Sequence, residues 1–167
     1  MAKLTGKLVL IGAGKMGGAM LAGWLKQGTP PSQIAISDPM VSDEMQAMAD
    51  EHGFAVNPDL QGLSDVEVVL LAVKPQMMDA VLPALQALGV SKPLYLSVAA
   101  GRTIAGFEEA FGADAAIIRA MPNTAAAVGA GVTVCVANDA GEALEKTVTR
   151  LLKVAGTVEW VSDERMI

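Results

Sequence analysis

Lys7-Leu8-Val9-Leu10-Ile11-Gly12-Ala13-Gly14-Lys15-Met16-Gly17 is the stretch on which the fold turns. Four β-favouring aliphatic residues run straight into G-x-G-x-x-G. Beyond it, Met16, Met20, Leu21, Trp24 and Leu25 recur on one face of a helix expected over residues 15–27. A strand, a glycine turn and a helix in that order form the opening unit of a nucleotide-binding α/β fold. Each glycine has its own reason. Gly12 permits the tight turn, Gly14 lets a pyrophosphate approach bare backbone, and Gly17 lets the helix pack closely. Phosphates would sit on the helix N-terminus, whose free N–H groups and dipole favour an anion. The plainer alternative is a glycine turn without a ligand; the flanking strand and helix favour the phosphate loop.

Working outward, the rest of the chain repeats the alternation. Gly28-Thr29-Pro30-Pro31 stops the first helix. Residues 33–37 read as a second strand, and residues 42–52 as a helix N-capped by Ser42. The near-continuous apolar run 67–73 is that of a strand buried on both faces of a parallel sheet. Residues 76–88 are helical in pattern, with Pro83 expected to kink the helix or mark a restart. Strands are expected at 92–98, 115–119, 132–136 and 157–161, with helices at 104–111 and 141–154. The reading is α/β: a doubly wound, mostly parallel, Rossmann-type sheet with helices on both faces. Residues 1–161 form that domain. Ser162-Asp163-Glu164-Arg165 resembles the cap and first turn of another helix, so residues 162–167 are expected to begin a further, helical domain.

Composition removes other classes. With 167 residues, 52% of them hydrophobic, and a net charge of -6, the chain can bury a core and is not intrinsically disordered. The acidic excess and scattered cations argue against a nucleic-acid partner. A single cysteine, Cys135, excludes an internal disulfide framework and a Cys-rich metal site, and fits a reducing compartment. Apolar runs are strand-sized, so no membrane span is expected. Gly12-Ala13-Gly14-Lys15 interrupts any signal-peptide pattern, which leaves the cytoplasm as the expected location.

Asp38, with Ser37 at the end of the second strand, follows Gly17 by 21 residues. An acidic side chain there would accept hydrogen bonds from the adenosine ribose. Its charge repels a 2′-phosphate, and Pro39-Met40-Val41-Ser42 supplies no cation, so Asp38 leans toward NADH. The alternative has Asp38 capping the loop that follows. Other conspicuous residues have plainer readings. His52 is a helix C-terminal residue favoured by the dipole; Cys135, Met45, Met48, Met77 and Met78 are core filler. Lys74 reads as structural or cofactor-side, with general acid as the alternative. Arg119 enters an apolar turn, where it pairs with a buried acid or with a cofactor phosphate. Trp160 is a candidate packing residue for a further domain.

Three more segments end predicted strands: Leu71-Ala72-Val73-Lys74-Pro75-Gln76, Ser97-Val98-Ala99-Ala100-Gly101 and Arg119-Ala120-Met121-Pro122-Asn123-Thr124. With the glycine loop, and in this order, they make the whole chain resemble the pyrroline-5-carboxylate reductases. The resemblance implies that Ile11, Gly12, Ala13, Gly14, Lys15 and Met16 hold the pyrophosphate, and that Ser37 and Asp38 meet the adenosine ribose. It implies that Ala72, Val73, Lys74 and Pro75 line the cofactor cleft, Ala99 and Ala100 lie near the nicotinamide ribose, and Asn123 lies beside the nicotinamide pocket. The implied reaction is hydride transfer from NAD(P)H to the C=N carbon of 1-pyrroline-5-carboxylate, giving L-proline, with no metal. The family often prefers NADPH, and Asp38 departs from that habit. The family also carries an all-helical domain that supplies the imino-acid carboxylate site and the dimer interface. This chain would then be the cofactor-binding portion of a homo-oligomeric enzyme, with no catalytic residue assigned within it. Two alternatives remain: a β-hydroxyacid dehydrogenase-type domain, which shares the glycine loop but not M-P-N-T, and a non-catalytic NAD(H)-sensing module.

Overall fold

The computed structural model describes residues 4–86, 88 and 92–167. Strand β1 (Lys7–Ile11) feeds through the glycine turn into helix α1 (Lys15–Lys26), as the opening stretch predicts. The other strands are β2 (Ile34–Ser37), β3 (Ala55–Val56), β4 (Val66–Leu71), β5 (Leu94–Ser97), β6 (Ile117–Pro122), β7 (Gly131–Ala137) and β8 (Gly156–Trp160). Among the described residues they make one sheet in the order β3-β2-β1-β4-β5-β6-β7-β8. Neighbours run parallel except β6 and β7, which are antiparallel. The Rossmann-type, doubly wound expectation is therefore met. Chain order reverses at β1, whose neighbours are β2 and β4, and a crevice opens at such a switch point.

Helices α2 (Asp43–His52), α3 (Met78–Gln86), α4 (Ile104–Phe111) and α5 (Glu145–Leu152) complete the layers. Met20, Leu21 and Trp24 of α1, Met45 of α2 and Leu151 of α5 pack with Leu8, Leu10 and Leu70 on one face of the sheet. Met78 and Leu82 of α3 and Phe107 of α4 pack with Val9, Val69 and Leu71 on the other. Successive side chains of β4 alternate between two apolar cores, which is why its sequence is continuously apolar and not alternating.

Several elements differ from the sequence reading for local reasons. β3 is two residues long, too short to show a period, and was not expected; Gly53, at φ 85, ends α2 just before it. Helix α3 runs unbroken through Pro83 and is preceded by a 3-10 turn, Pro75–Met77. The helix does not restart at Pro83, and it does without one backbone donor there. Residue 87 of the expected 76–88 helix lies outside the described residues. Strand β6 continues past residue 119 to Pro122 because β7 returns along it, pairing Met121 with Val134 and Pro122 with Thr133. The 141–154 segment holds a shorter α5 between 3-10 turns Glu142–Leu144 and Lys153–Ala155.

Two buried acids make an alkaline limit. Cys135 in β7 is fully buried, and burial pushes its thiol from 9.0 up to about 12, with the Glu145 charge adding to the rise. Tyr95 in β5 stacks on Phe111 at 3.7 Å between ring centres, and burial raises its phenol from 10.0 to about 12. Both native pKa values exceed the unfolded ones, so the folded state is favoured below about pH 9 and loses that advantage as pH climbs toward 12. The urea midpoint is expected to fall steadily above about pH 9, with Cys135 unreactive to thiol reagents below it. Rapid native-state labelling of Cys135 at neutral pH would contradict this.

Candidate functional site

The glycine loop divides into parts the fold needs and a part it does not. Gly12 has φ +92, its amide donates to the Ser37 carbonyl at 2.9 Å, and an added Cβ would lie 2.7 Å from the Ala72 carbonyl oxygen. A Cβ on Gly17 would lie 2.2 Å from the Gly12 carbonyl oxygen, so α1 packs here against bare backbone. Gly14 is different. It sits at the N-cap of α1 with φ -69 and ψ -161, open to any residue, and a Cβ there meets nothing within 4 Å. The start of α1 carries no side-chain cap and no acidic residue in its first turn. Its amides face an open space that a side chain at position 14 would fill, which is the arrangement an anion requires. Gly14 and Lys15 are both exposed at this end.

Asp38 follows β2 and leans across to the loop. Its Oδ2 accepts from the Ala13 amide at 2.7 Å, and its Oδ1 accepts from the Met40 amide at 2.8 Å. It therefore caps its own turn, as the alternative reading held, and also braces the glycine loop. Asn57 secures it from β3: the Asp38 amide donates to Asn57 Oδ1 at 2.8 Å, and Asn57 Nδ2 donates to the Asp38 carbonyl at 2.9 Å. Sequence reasoning missed Asn57. Its signals were an Asn before a Pro and a left-handed turn, here with φ 48. A cleft of about 470 Å³ opens between α1 and α2, lined by Ala13, Gly14, Lys15, Asp38, Ser42 and Glu44, with Met45 and Met48 behind. Ser42 caps α2 as predicted, its Oγ accepting from the Met45 amide at 3.1 Å.

The remaining candidates lie along the same lip. Gly12 follows β1, Asp38 follows β2, Ala72 follows β4, Ala99 follows β5 and Asn123 follows β6, so five neighbouring strands each deliver one segment to the sheet's C-terminal edge. The Ala72 amide donates to the Ile11 carbonyl at 2.8 Å, drawing the 72–75 segment beside the loop; Lys74 and Pro75 are exposed. Ala99 is buried in the core under α3 and α4, its amide on Ser97 Oγ at 3.2 Å, which leaves Ala100 exposed on the lip. Asn123 Oδ1 accepts from the Val132 amide at 3.2 Å, and so it ties the β6–β7 connection.

Other residues fall elsewhere. Arg119 lies inside β6 and not in a turn, and it pairs with an acid, Glu164, at 2.6 Å. Met78 is buried, but Met77 is 45% exposed in the turn before α3 and is not core filler. Trp160 is half-buried against this chain's own α5, where its Nε1 donates to Thr149 Oγ1 at 2.9 Å. His52 is exposed at the end of α2. Among the described residues, no helix is long and apolar enough to cross a membrane.

Fold and loop together define a Rossmann-type α/β domain. The model of the family described as NADP oxidoreductase, coenzyme F420-dependent, matches residues 7–101, and the chain belongs to that family. Pyrroline-5-carboxylate reductase of Pseudomonas aeruginosa is 33% identical over 164 residues, spanning 98% of this chain and 60% of that protein. The structure of a pyrroline-5-carboxylate reductase from Coxiella burnetii superposes with a TM-score of 0.86 at 30% identity, covering 96% of this chain and 60% of that one. The Plasmodium falciparum enzyme, solved with NADP bound, shares the fold with a TM-score of 0.79 at 22% identity, over 97% and 60%. The resemblance carried by the A-V-K-P-Q and R-x-M-P-N-T segments is thus borne out. The chain spans about 60% of the length of these relatives.

Proposed function

We propose that this chain is the cofactor-binding portion of a pyrroline-5-carboxylate reductase, an NAD(P)H-dependent oxidoreductase acting on a C=N bond. Gly14 carries the reading: its backbone angles suit any residue and its Cβ direction is empty, so the fold itself gives only the mild N-cap preference for glycine there. A pyrophosphate against the α1 amides gives a further reason. When bound, the dinucleotide would supply a hydride to the C=N carbon of N-protonated 1-pyrroline-5-carboxylate, giving L-proline. The chain's own part is to hold and orient. Ile11 to Met16 receive the pyrophosphate, Ser37 and Asp38 meet the adenosine ribose, and Ala72, Val73, Lys74 and Pro75 wall the cleft. Ala100 and Asn123 bound its far end, with Ala99 supporting from beneath. The greater length of the relatives supports residues 162–167 leading into a further helical domain that completes the imino-acid site and joins subunits. Titration of the chain with NADH and NADPH, followed by nicotinamide fluorescence, tests the reading; no binding of either would refute it.

Asp38 and Glu44 put two carboxylates on the cleft beside one cation, Lys15, which favours NADH over NADPH. Asp38→Ser weakens both ligands, because Ala13 loses its acceptor, but is expected to lower the NADPH-to-NADH ratio of Kd values by about tenfold. An unchanged ratio would show that Asp38 stays clear of the ribose.

A further inference from the structure

Glu164 opens a short 3-10 turn, Glu164–Met166, and its side chain, 28% exposed, joins two segments far away in sequence. Its Oε1 accepts from Arg119 Nη1 at 2.6 Å and from the Ile104 backbone amide, also at 2.6 Å. Ile104 is the first residue of α4, so the carboxylate also answers the positive end of that helix. The Arg119 side chain is 8% exposed, and its Nε is buried without a partner among the described residues. Glu164 is the acid paired with this buried guanidinium, and removing one member of such a pair is far costlier than removing a surface pair.

Where this pair sits gives it a role. Ser37, Ile11, Leu71, Ser97 and Arg119 stand in one register row across five strands. Four of them close their strands, so Arg119 is level with the lip on which the glycine loop and its neighbours stand. From Ser97 the chain runs through residues 98–103 to Ile104. That loop carries Ala99 and Ala100. Its near end is held by Ser97 Oγ on the Ala99 amide, and its middle by an ion pair of Arg102 with the exposed Asp79. Its far end is held by Glu164 through Ile104. The middle tie is water-exposed and weak, and among the described residues Thr103 binds only its own helix, through the Gly106 amide, which leaves Glu164 as the restraint that ties the far end to the rest of the domain.

We infer that Glu164 is a positioning residue for the nicotinamide end of the cleft: by holding Ile104 and Arg119 it fixes the 98–103 loop against which the reduced ring must lie. The inference rests on the dinucleotide reading and adds to it a residue that contacts neither phosphate nor ribose. It also ties the Glu164–Met166 turn to the nicotinamide end of the cleft.

Two ligands separate positioning from plain stabilisation. ADP-ribose shares the pyrophosphate and adenosine with NADH but lacks the nicotinamide. Glu164→Ala in this chain is expected to weaken NADH by about tenfold while leaving ADP-ribose within about twofold. Glu164→Gln, which keeps an acceptor for Ile104 without the charge, falls between and serves if the alanine variant does not fold. Amide exchange at Ala100 and Ile104 should quicken in both variants. Equal weakening of both ligands, or NADH affinity unchanged in a folded variant, overturns the inference. Wild-type chain that binds neither ligand would instead sink the dinucleotide reading, and the positioning role with it.

Discussion

Gly14→Val is expected to lower the melting temperature by only about 2–4 °C, the cost of a poor N-cap residue, while lowering NADH affinity by about a hundredfold or more. The substitution costs the fold little beyond the weaker N-cap. Position 14 has ordinary backbone angles and its Cβ enters empty space, so folding loses no contact. What it loses is access: a branched side chain would stand over the amides that begin α1, where a pyrophosphate oxygen must come within hydrogen-bonding distance. Gly17→Val gives the opposite pattern. Its Cβ would press within 2.2 Å of the Gly12 carbonyl, which is backbone and cannot swing away, so α1 must lift from β1. That variant is expected to lose about 3 kcal/mol or more of stability, with binding lost as a consequence. Calorimetry and nicotinamide fluorescence on both variants separate the two roles. Parental NADH affinity in Gly14→Val would dismiss the phosphate loop.

Trp24→Ala is expected to cost about 3–5 kcal/mol, among the largest effects of any single truncation in the chain. Trp24 is 1% exposed on the inner face of α1, and its indole Nε1 donates to the Leu151 carbonyl of α5 at 2.9 Å. Truncation leaves a cavity and also a buried carbonyl without its donor. Against a typical total of about 5–15 kcal/mol, that loss brings the domain close to unfolding at room temperature. Trp24→Phe restores most of the volume without the donor and should recover more than half of the loss. Urea denaturation measures both. A loss below about 1 kcal/mol for the alanine variant would mean that α1 and α5 repack freely, contrary to the close packing of interiors.

Much of the candidate site was legible because its residues are local to strand ends. Strand β1, Gly12, Gly14, Gly17 and the start of α1 sit within eleven consecutive residues, and their spacing alone encodes the turn. Ser42 capping α2 and the span of α4 were equally plain, since caps and helical periods are short-range signals. Asn57 was not legible: it meets Asp38 from 19 residues away, and no pattern in either segment announces the partner. Pro83 left a restart open in the sequence because a proline's local penalty does not reveal that the helix continues through it. The bond from Trp160 to Thr149 was not legible either, because the two lie 11 residues apart on different elements.

Apolar periodicity and the placing of glycines determined, without any coordinates, that the chain alternates strand and helix and carries a phosphate loop at its first crossover. Those properties depend on neighbours a few residues apart. Strand order, the antiparallel return of β7 on β6, and the meeting of Arg119 with Glu164 across 45 residues were decided by the folded chain. Long-range partners are chosen by which burial and charge pairing the whole sheet permits, and that selection is written in no single segment.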